Sequence, residues 1–156
     1  MADYSEGAMK TMEMEMSRAR SFAKFRNLDR GRRRLVLRAA ASVTAASAAI
    51  ACLPFRRAIR FGSVPVSTRS EHRVDDWLWA VEAVARRLPW RTMCIEKGLA
   101  LQRLLRRDGI DARLHYGARH VPPERKLEAH VWVTVAGRSV LGGEEAAGFA
   151  EIASYP

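Results

Sequence analysis

The chain has 156 residues, of which 48% are hydrophobic and 28% are charged, and it contains two cysteines. This length suits one compact domain with an appendage, because the commonest domain size is about 100–150 residues. The apolar content excludes a wholly disordered chain, and the low cysteine content excludes a disulfide-dense scaffold. Cys52 and Cys94 lie far apart, with no CxxC motif and no Cys/His cluster, so a structural zinc site is also excluded.

The net charge of +10 is concentrated in one segment. Residues 1–16 have a net charge of −3, residues 17–60 of +11 and residues 61–156 of +2. No recognition-helix motif follows the basic segment, so we do not expect nucleic acid as a partner. An anionic lipid surface or an acidic protein partner is the better expectation.

The first sixty residues are expected to form a tail and a helix. Residues 1–30 are predicted to be a mobile or loosely docked tail, because they lack helix-capping signals. Residues 31–60 combine an arginine run with an apolar, alanine-rich stretch that ends at Pro54. This stretch has a basic segment followed by an apolar run, as a signal peptide does, and its apolar run is similar to a membrane span. Its position, its composition and Arg38 favour a buried or partly surface-lying helix, with peripheral membrane or partner docking as the alternative.

Residues 61–73 contain Gly, Pro and small polar residues and are predicted to be a linker or an extended crossing. The remainder, residues 74–156, has the pattern of an α+β domain. Apolar residues recur every three or four positions over Val74–Leu88 and again from about Met93 to Arg107, which predicts two amphipathic helices. Alternating residues then predict antiparallel strands around residues 112–116, 131–135 and 139–141, with a hairpin turn at Ala136-Gly137.

Cys94 lies in the first turn of the second predicted helix, with Thr92 as a candidate N-cap. Unpaired backbone N–H groups and the helix dipole favour a thiolate there, which makes Cys94 a candidate nucleophile. His130, at the start of a predicted strand, is the best candidate base. A small buried cysteine and a structural histidine are the alternative interpretation. His72 is expected to be solvated, and neither His115 nor His120 has a cysteine or acid at a telling spacing.

A longer pattern surrounds Cys94 and His130. Pro89-Trp90-Arg91-Thr92-Met93-Cys94 is followed by Gly109-Ile110 and then by Ala129-His130-Val131-Trp132-Val133. In order and spacing, this pattern over residues 75–145 resembles the lasso-peptide leader peptidases, which are transglutaminase-like cysteine proteases. The resemblance implies a helical N-terminal segment followed by a transglutaminase-like, papain-like domain over residues 74–156. Its catalytic helix would pack on an antiparallel sheet.

The resemblance also implies a Cys-His-acid mechanism, in which Cys94 attacks the leader–core junction and His130 is the general base and acid. The acid of the family falls about twelve residues after the histidine, where this sequence has Gly142. Glu144 is therefore the candidate orienting acid. A shifted loop, a backbone carbonyl or an amide side chain are the alternatives, and Glu144 could instead cap a short helix that extends through Ile152.

The partners implied by the resemblance are a precursor peptide of leader plus core and an asparagine-synthetase-like enzyme that closes the ring. Residues 1–70 show no strands like those of the winged-helix leader-recognition domain of fused members, so a separate leader-recognition protein is expected. We expect no cofactor, no metal ion and a cytoplasmic location, with a peripheral membrane contact as an option. Two alternatives stay open: acyl transfer to an amine, and a non-catalytic transglutaminase-like module that docks to partners or a membrane.

Overall fold

The computed structural model describes residues 28–68, 72–121 and 126–156. The chain forms two compact units, residues 1–34 and residues 35–156. Nearly all of the predicted tail lies outside the described residues. In the described part of the first unit, the backbone N–H of Arg32 donates to Asp29 Oδ1 at 2.9 Å, and this hydrogen bond holds the pKa of the Asp29 carboxyl below its ordinary value.

Helices and strands follow the order predicted for an α+β domain. In the described residues they are α1 (Arg30–Cys52), α2 (Phe55–Ala58), α3 (Val74–Ala85), α4 (Cys94–Arg107), β1 (Ala112–Val121), β2 (Lys126–Val135), β3 (Arg138–Leu141), α5 (Gly143–Ala146) and β4 (Ala150–Tyr155). The strands form one antiparallel sheet in the order β3-β2-β1-β4. The α+β class, with helices packed on a four-stranded antiparallel sheet, is confirmed.

Helix α1 is long and apolar enough to cross a membrane by length and composition alone. From Leu35 onward, however, it buries one face in the core of the second unit. The buried positions recur every three or four residues, as one face of a helix requires: Leu35, Ala39, Ser42, Val43, Ala46 and Ala49. The hydroxyl of Ser42 also donates to the carbonyl of Ala100 at 3.3 Å. The second unit therefore packs one face of α1 into its core, and the rest of the helix is more exposed.

The predicted linker is bound along α4. The guanidinium of Arg106 donates to the carbonyl of Val64 at 2.6 Å, and the backbone N–H of Ser67 donates to the carbonyl of Arg106 at 2.9 Å. Arg103 similarly donates to the carbonyl of Phe61 at 2.7 Å. These bonds satisfy backbone groups that an extended segment leaves open. The described part of this segment, up to residue 68, is therefore an extended crossing inside the second unit.

Helix α4 lies against one face of the sheet and contributes one buried face to the core. Leu99, Leu101 and Leu105 are fully buried, as are Leu114 and Val133 on the strands beneath them. Gly98 marks the closest approach: a β-carbon there would lie 2.8 Å from Cγ1 of Val131 and 3.2 Å from Cδ1 of Leu114. Only a residue without a side chain permits this helix-to-sheet distance.

Most of the predicted elements are confirmed, but the helix expected over residues 31–60 ends at Cys52, because Pro54 interrupts it, and the short helix α2 follows. Helix α4 begins within a residue of its prediction, and Ala136 and Gly137 have the positive φ angles, 49° and 76°, of a tight hairpin turn. The predicted helix through Ile152 does not form, because α5 ends at Ala146 and residues 150–155 pair with β1 as β4. Pairing with a buried strand outweighs the weak helical pattern of the short C-terminal segment.

Candidate active site

Cys94 is the first residue of α4, and the chain enters this helix through Met93 in an extended conformation. The carboxylate of Glu96 accepts a hydrogen bond from the backbone N–H of Met93 at 2.5 Å. Met93 is therefore the N-cap residue, which corrects the prediction of Thr92. The hydroxyl of Thr92 instead donates to the carbonyl of Ala85 at 3.4 Å. An acid at the third helical position is a known sequence signal of a helix start, so Glu96 was open to prediction.

The first turn of α4 places partial positive charge around Cys94. The side chain is half-buried, and it lies next to the N–H groups that a helix leaves unpaired at its N-terminus. Those N–H groups stabilise negative charge on the Cys94 sulfur. They also stabilise negative charge on the carbonyl oxygen of a substrate whose carbon the sulfur attacks. The arrangement suits a nucleophile that forms a tetrahedral intermediate.

Cys94 opens into a cleft of about 860 Å³. One wall comes from the α3 and α4 helices and the other from β2, β3 and the connection to β4. The lining residues include Leu78, Glu82, Cys94, Lys97, Arg119, His130, Leu141, Gly142, Glu144, Glu145 and Phe149. The fold thus brings all three predicted site residues, Cys94, His130 and Glu144, to the same cleft.

The imidazole of His130 is held by a backbone carbonyl. Its Nε2 atom lies 2.9 Å from the carbonyl oxygen of Gly142. A carbonyl oxygen can only accept a hydrogen bond, so the neutral ring carries its proton on Nε2 and keeps a lone pair on Nδ1. The rings of Trp132 and Phe149 flank the imidazole, at centroid distances of 6.4 Å and 5.1 Å. In this tautomer the basic nitrogen of the ring is Nδ1.

Gly142 lies where the sequence resemblance led us to expect an acid, and its backbone geometry disfavours any side chain. Its φ angle of +69° is one that L-residues other than glycine seldom adopt. A β-carbon would also lie 2.8 Å from the carbonyl oxygen of Val131 and 3.0 Å from Nε2 of His130. The main-chain carbonyl of Gly142 thus occupies the place beside His130 that an orienting side chain would need.

Among the acids that the structure describes, the nearest to His130 is Glu145 rather than Glu144. Oε2 of Glu145 lies 3.4 Å from Nε2 of His130, and the Glu145 side chain is 69% exposed. Successive residues of a helix point about 100° apart, so α5 directs Glu144 and Glu145 differently although both line the cleft. The spacing along the chain could not decide between the two glutamates, because the direction of α5 is a tertiary feature.

Cys94 and His130 line the cleft from opposite walls. In the described part of the chain no hydrogen bond joins the thiol to the imidazole. Hydrogen bonds between a nucleophile and its base are often long before substrate arrives and shorten in the complex. The arrangement of a half-buried thiol, a helix N-terminus and an oriented imidazole is chemically able to form and break an acyl-thioester.

The other described histidines lie outside this cleft. His72 is not solvated as predicted: its backbone N–H donates to Oδ2 of Asp108 at 2.9 Å, and its ring packs edge-on against Trp77. His115 lies 3.2 Å from a carboxylate oxygen of Glu151 on β4. The pairing of β4 with β1 produces this contact, so the sequence around His115 could not predict it. The residues described include no group of three or more metal-ligating side chains.

A comparison with protein-family models gives one match. The model described as transglutaminase-like superfamily matches residues 35–154, a range that begins inside α1 and ends inside β4. It includes Cys94, His130 and all of the sheet except the last residue of β4. No curated protein and no solved structure matches the chain.

Proposed function

The chain belongs to the transglutaminase-like superfamily, and from that premise we propose that it is a cysteine peptidase that removes the leader of a lasso-peptide precursor. One observation carries the peptidase assignment: the cleft that contains Cys94 also contains His130, whose Nε2 is bonded to the carbonyl of Gly142. Because Nε2 carries the proton, Nδ1 is free to accept the proton of the thiol. The superfamily match supports thiol chemistry of this general type.

The first half of the reaction is an acyl transfer to Cys94. The thiol proton moves to Nδ1 of His130 while the sulfur bonds to the scissile carbonyl carbon, whose oxygen takes the negative charge. Backbone N–H groups at the start of α4 donate to that oxygen. The carbon–nitrogen bond then breaks, and the proton on Nδ1 passes to the leaving amine. An acyl-thioester on Cys94 remains.

The second half is hydrolysis of the thioester. A water molecule loses a proton to Nδ1 of His130, and its oxygen bonds to the carbonyl carbon. The bond between carbon and sulfur breaks as the carbonyl re-forms, and the sulfur regains the proton from Nδ1. Through both halves, the carbonyl of Gly142 keeps its hydrogen bond with Nε2 and accepts more strongly when the ring is charged.

The substrate and partners are proposed from the sequence resemblance. The substrate is the precursor peptide, cut at the leader–core junction, and the product is a core peptide with a free amino group for ring closure. A separate leader-recognition protein delivers the precursor, and an asparagine-synthetase-like enzyme closes the ring beside it. The reaction takes place in the cytoplasm. The arginine-rich start of α1 supplies the optional contact with an anionic membrane surface.

A second candidate is a non-catalytic docking module, and Gly142 is the observation that favours it. The residue that replaces the family's acid has no side chain, and the nearest carboxylate, Glu145, is largely exposed. A non-catalytic module has no need for a thiol and a histidine in the same cleft, and this chain has both. The peptidase is therefore the preferred assignment.

The test is cleavage of a lasso-peptide precursor in the presence of its leader-recognition protein, followed by mass spectrometry. We expect one cleavage site with the wild-type chain. Cys94→Ala and His130→Ala should each abolish cleavage. Cys52→Ala is the matched control, because Cys52 is exposed at the end of α1 and lies outside the cleft. If Cys52→Ala keeps its activity, the loss of cleavage in Cys94→Ala is due to removal of the Cys94 thiol in particular.

The same assay separates the alternatives. Equal cleavage by the wild type and Cys94→Ala would contradict the peptidase proposal. Formation of a peptide amide from an added primary amine, in place of the free acid, would show acyl transfer. Absence of cleavage together with binding of the recognition protein would leave the docking module as the function.

A further inference from the structure

A second cavity lies beside the cleft. It has a volume of about 300 Å³, and its lining consists of Glu82, Ala85, Arg86, Arg91, Thr92 and Lys97. Glu82 and Lys97 also line the main cleft. The two cavities therefore share two wall residues, and we call the smaller one the side compartment.

The side compartment carries an excess of positive charge. Its lining includes three cations and one carboxylate. The carboxylate belongs to Glu82, which pairs with Arg86 at 3.0 Å across one turn of α3. Within the chain segments that the structure describes, neither Arg91 nor Lys97 has a carboxylate at ion-pair distance. Two unneutralised cations thus line a cavity that shares part of its wall with the cleft of the nucleophile.

Both cations are close to Cys94 along the chain. Lys97 follows Cys94 by three residues on α4, and side chains with this spacing have Cβ atoms about 5–6 Å apart on one face of a helix. Arg91 precedes Cys94 by three residues, in the segment that leads into α4. A peptide advances about 3.3–3.6 Å per residue when extended. A substrate side chain one or two residues from the scissile bond can therefore reach the side compartment.

We infer that the side compartment is a specificity subsite for a substrate carboxylate, supplied by an aspartate or glutamate side chain close to the cleaved bond. The inference rests on the proposed function, because it assumes that Cys94 attacks a peptide. A lysine ammonium and an arginine guanidinium form charge-assisted hydrogen bonds with a carboxylate, whereas the amide of Asn or Gln has the same shape without the charge. The structure thus predicts discrimination between an acid and its amide.

The test uses irreversible probes, so that it does not depend on knowledge of the natural substrate. Short peptidyl vinyl sulfones alkylate a nucleophilic thiol, and each probe pair differs only by Glu or Gln at one position on the acyl side. The second-order rate of labelling of Cys94 is measured by intact mass spectrometry. We expect one position at which the Glu probe reacts roughly 10-fold to 100-fold faster than the Gln probe.

Variants assign that preference to the two cations. Lys97→Gln and Arg91→Gln should each reduce the ratio of the Glu-probe rate to the Gln-probe rate, and the double variant should bring that ratio to about one. Arg113→Gln is the matched control, because Arg113 is an exposed cation on β1 that lines neither cavity. Lys97→Glu should reverse the preference toward a probe with lysine at that position. Circular dichroism checks that each variant is folded.

A free C-terminal carboxylate offers the same chemistry as an acidic side chain. Peptides that end in an acid or an amide are therefore compared as competitors that protect Cys94 from labelling. Stronger protection by the acid, together with equal rates for Glu and Gln probes, would overturn the assignment to a side chain.

Equal rates for Glu and Gln probes at every position, with no preference among competitors, would overturn the subsite itself. That outcome is distinct from failure of the proposed function. If no peptidyl probe labels Cys94 faster than a vinyl sulfone without a peptide, the peptidase proposal fails as well.

Discussion

The two walls of the cleft are built in different ways. The wall with Cys94 is the start of a helix whose following turns are buried in the core, and its capping carboxylate, Glu96, is itself buried. The wall with His130 is closed by the connection from β3 to β4, where α5 has no buried residue and Glu144 and Glu145 face solvent. Core packing therefore positions the nucleophile, whereas one main-chain carbonyl orients the base. Variants of two glycines, one in each wall, test this difference most directly.

Gly142→Ala should have the largest effect on activity. The new methyl group would occupy space 3.0 Å from Nε2 of His130, so the imidazole must move and lose its carbonyl partner. We expect a fall in kcat/KM on the order of 100-fold or more, in line with the loss of a positioned acid–base group. The rate at which iodoacetamide labels Cys94 should fall much less, because this reaction does not require a bound substrate.

Gly137→Ala is the control for backbone strain. Gly137 also has a positive φ angle, +76°, but a β-carbon there has no neighbour within 4 Å. Both substitutions strain the backbone by about 1–3 kcal/mol. Only Gly142→Ala also disturbs the imidazole, so an equal loss of activity in the two variants would contradict the assigned role of the Gly142 carbonyl.

Gly98→Ala should affect stability more than chemistry. Its methyl group would approach Cγ1 of Val131 to 2.8 Å, and such overpacking costs about 1–3 kcal/mol. Replacing glycine by alanine in a helix recovers about 1 kcal/mol. We expect a net loss of about 1 kcal/mol in the free energy of unfolding, measured in urea. A more stable variant would show that the contact between α4 and the sheet is not tightly packed.

Glu96→Ala should have an intermediate effect on both properties. It removes the hydrogen bond that the Met93 N–H makes at the start of α4, at a cost of about 1 kcal/mol. The first turn that carries Cys94 then frays, and we expect a several-fold fall in the rate of thiol labelling. Glu96→Gln keeps an acceptor oxygen and should lose less than half as much stability by thermal unfolding.

Glu145→Gln should have the smallest effect. Its carboxylate is 3.4 Å from His130 but largely exposed, and exposed ion pairs are worth about 0–1 kcal/mol. We expect a fall of no more than fivefold in kcat/KM, with Glu144→Gln unchanged as the neighbouring control. A loss of 100-fold in Glu145→Gln would transfer the orienting role from the Gly142 carbonyl to this carboxylate.

The elements that sequence patterns predicted are those whose signals are local. Helices α3 and α4 show a strong three-to-four residue period, and the turn at Ala136-Gly137 carries its own backbone preference. The position of Cys94 at a helix start was predictable for the same reason. Strand β4 was not, because six residues of weak pattern become a strand only by pairing with β1.

A backbone carbonyl was one of the expected alternatives for orienting His130, but the sequence could not select it over the others, because the contact is tertiary. The partner of His130 is a main-chain carbonyl, and every residue type has one, so the identity of Gly142 gave no positive signal. The choice between Glu144 and Glu145 depends on the direction of α5. The contact of His72 with Asp108 likewise joins segments that only the fold brings together.

A carbonyl oxygen is not protonated at ordinary pH. The hydrogen bond from His130 to the Gly142 carbonyl therefore has a property that a hydrogen bond to a carboxylate lacks. An orienting aspartate loses its charge below a pH of about 4, and a single substitution can delete its side chain. The Gly142 oxygen keeps the same acceptor strength in acid and belongs to the backbone itself. A substitution at position 142 therefore acts through the atoms that it adds, because no side chain there supplies the hydrogen bond.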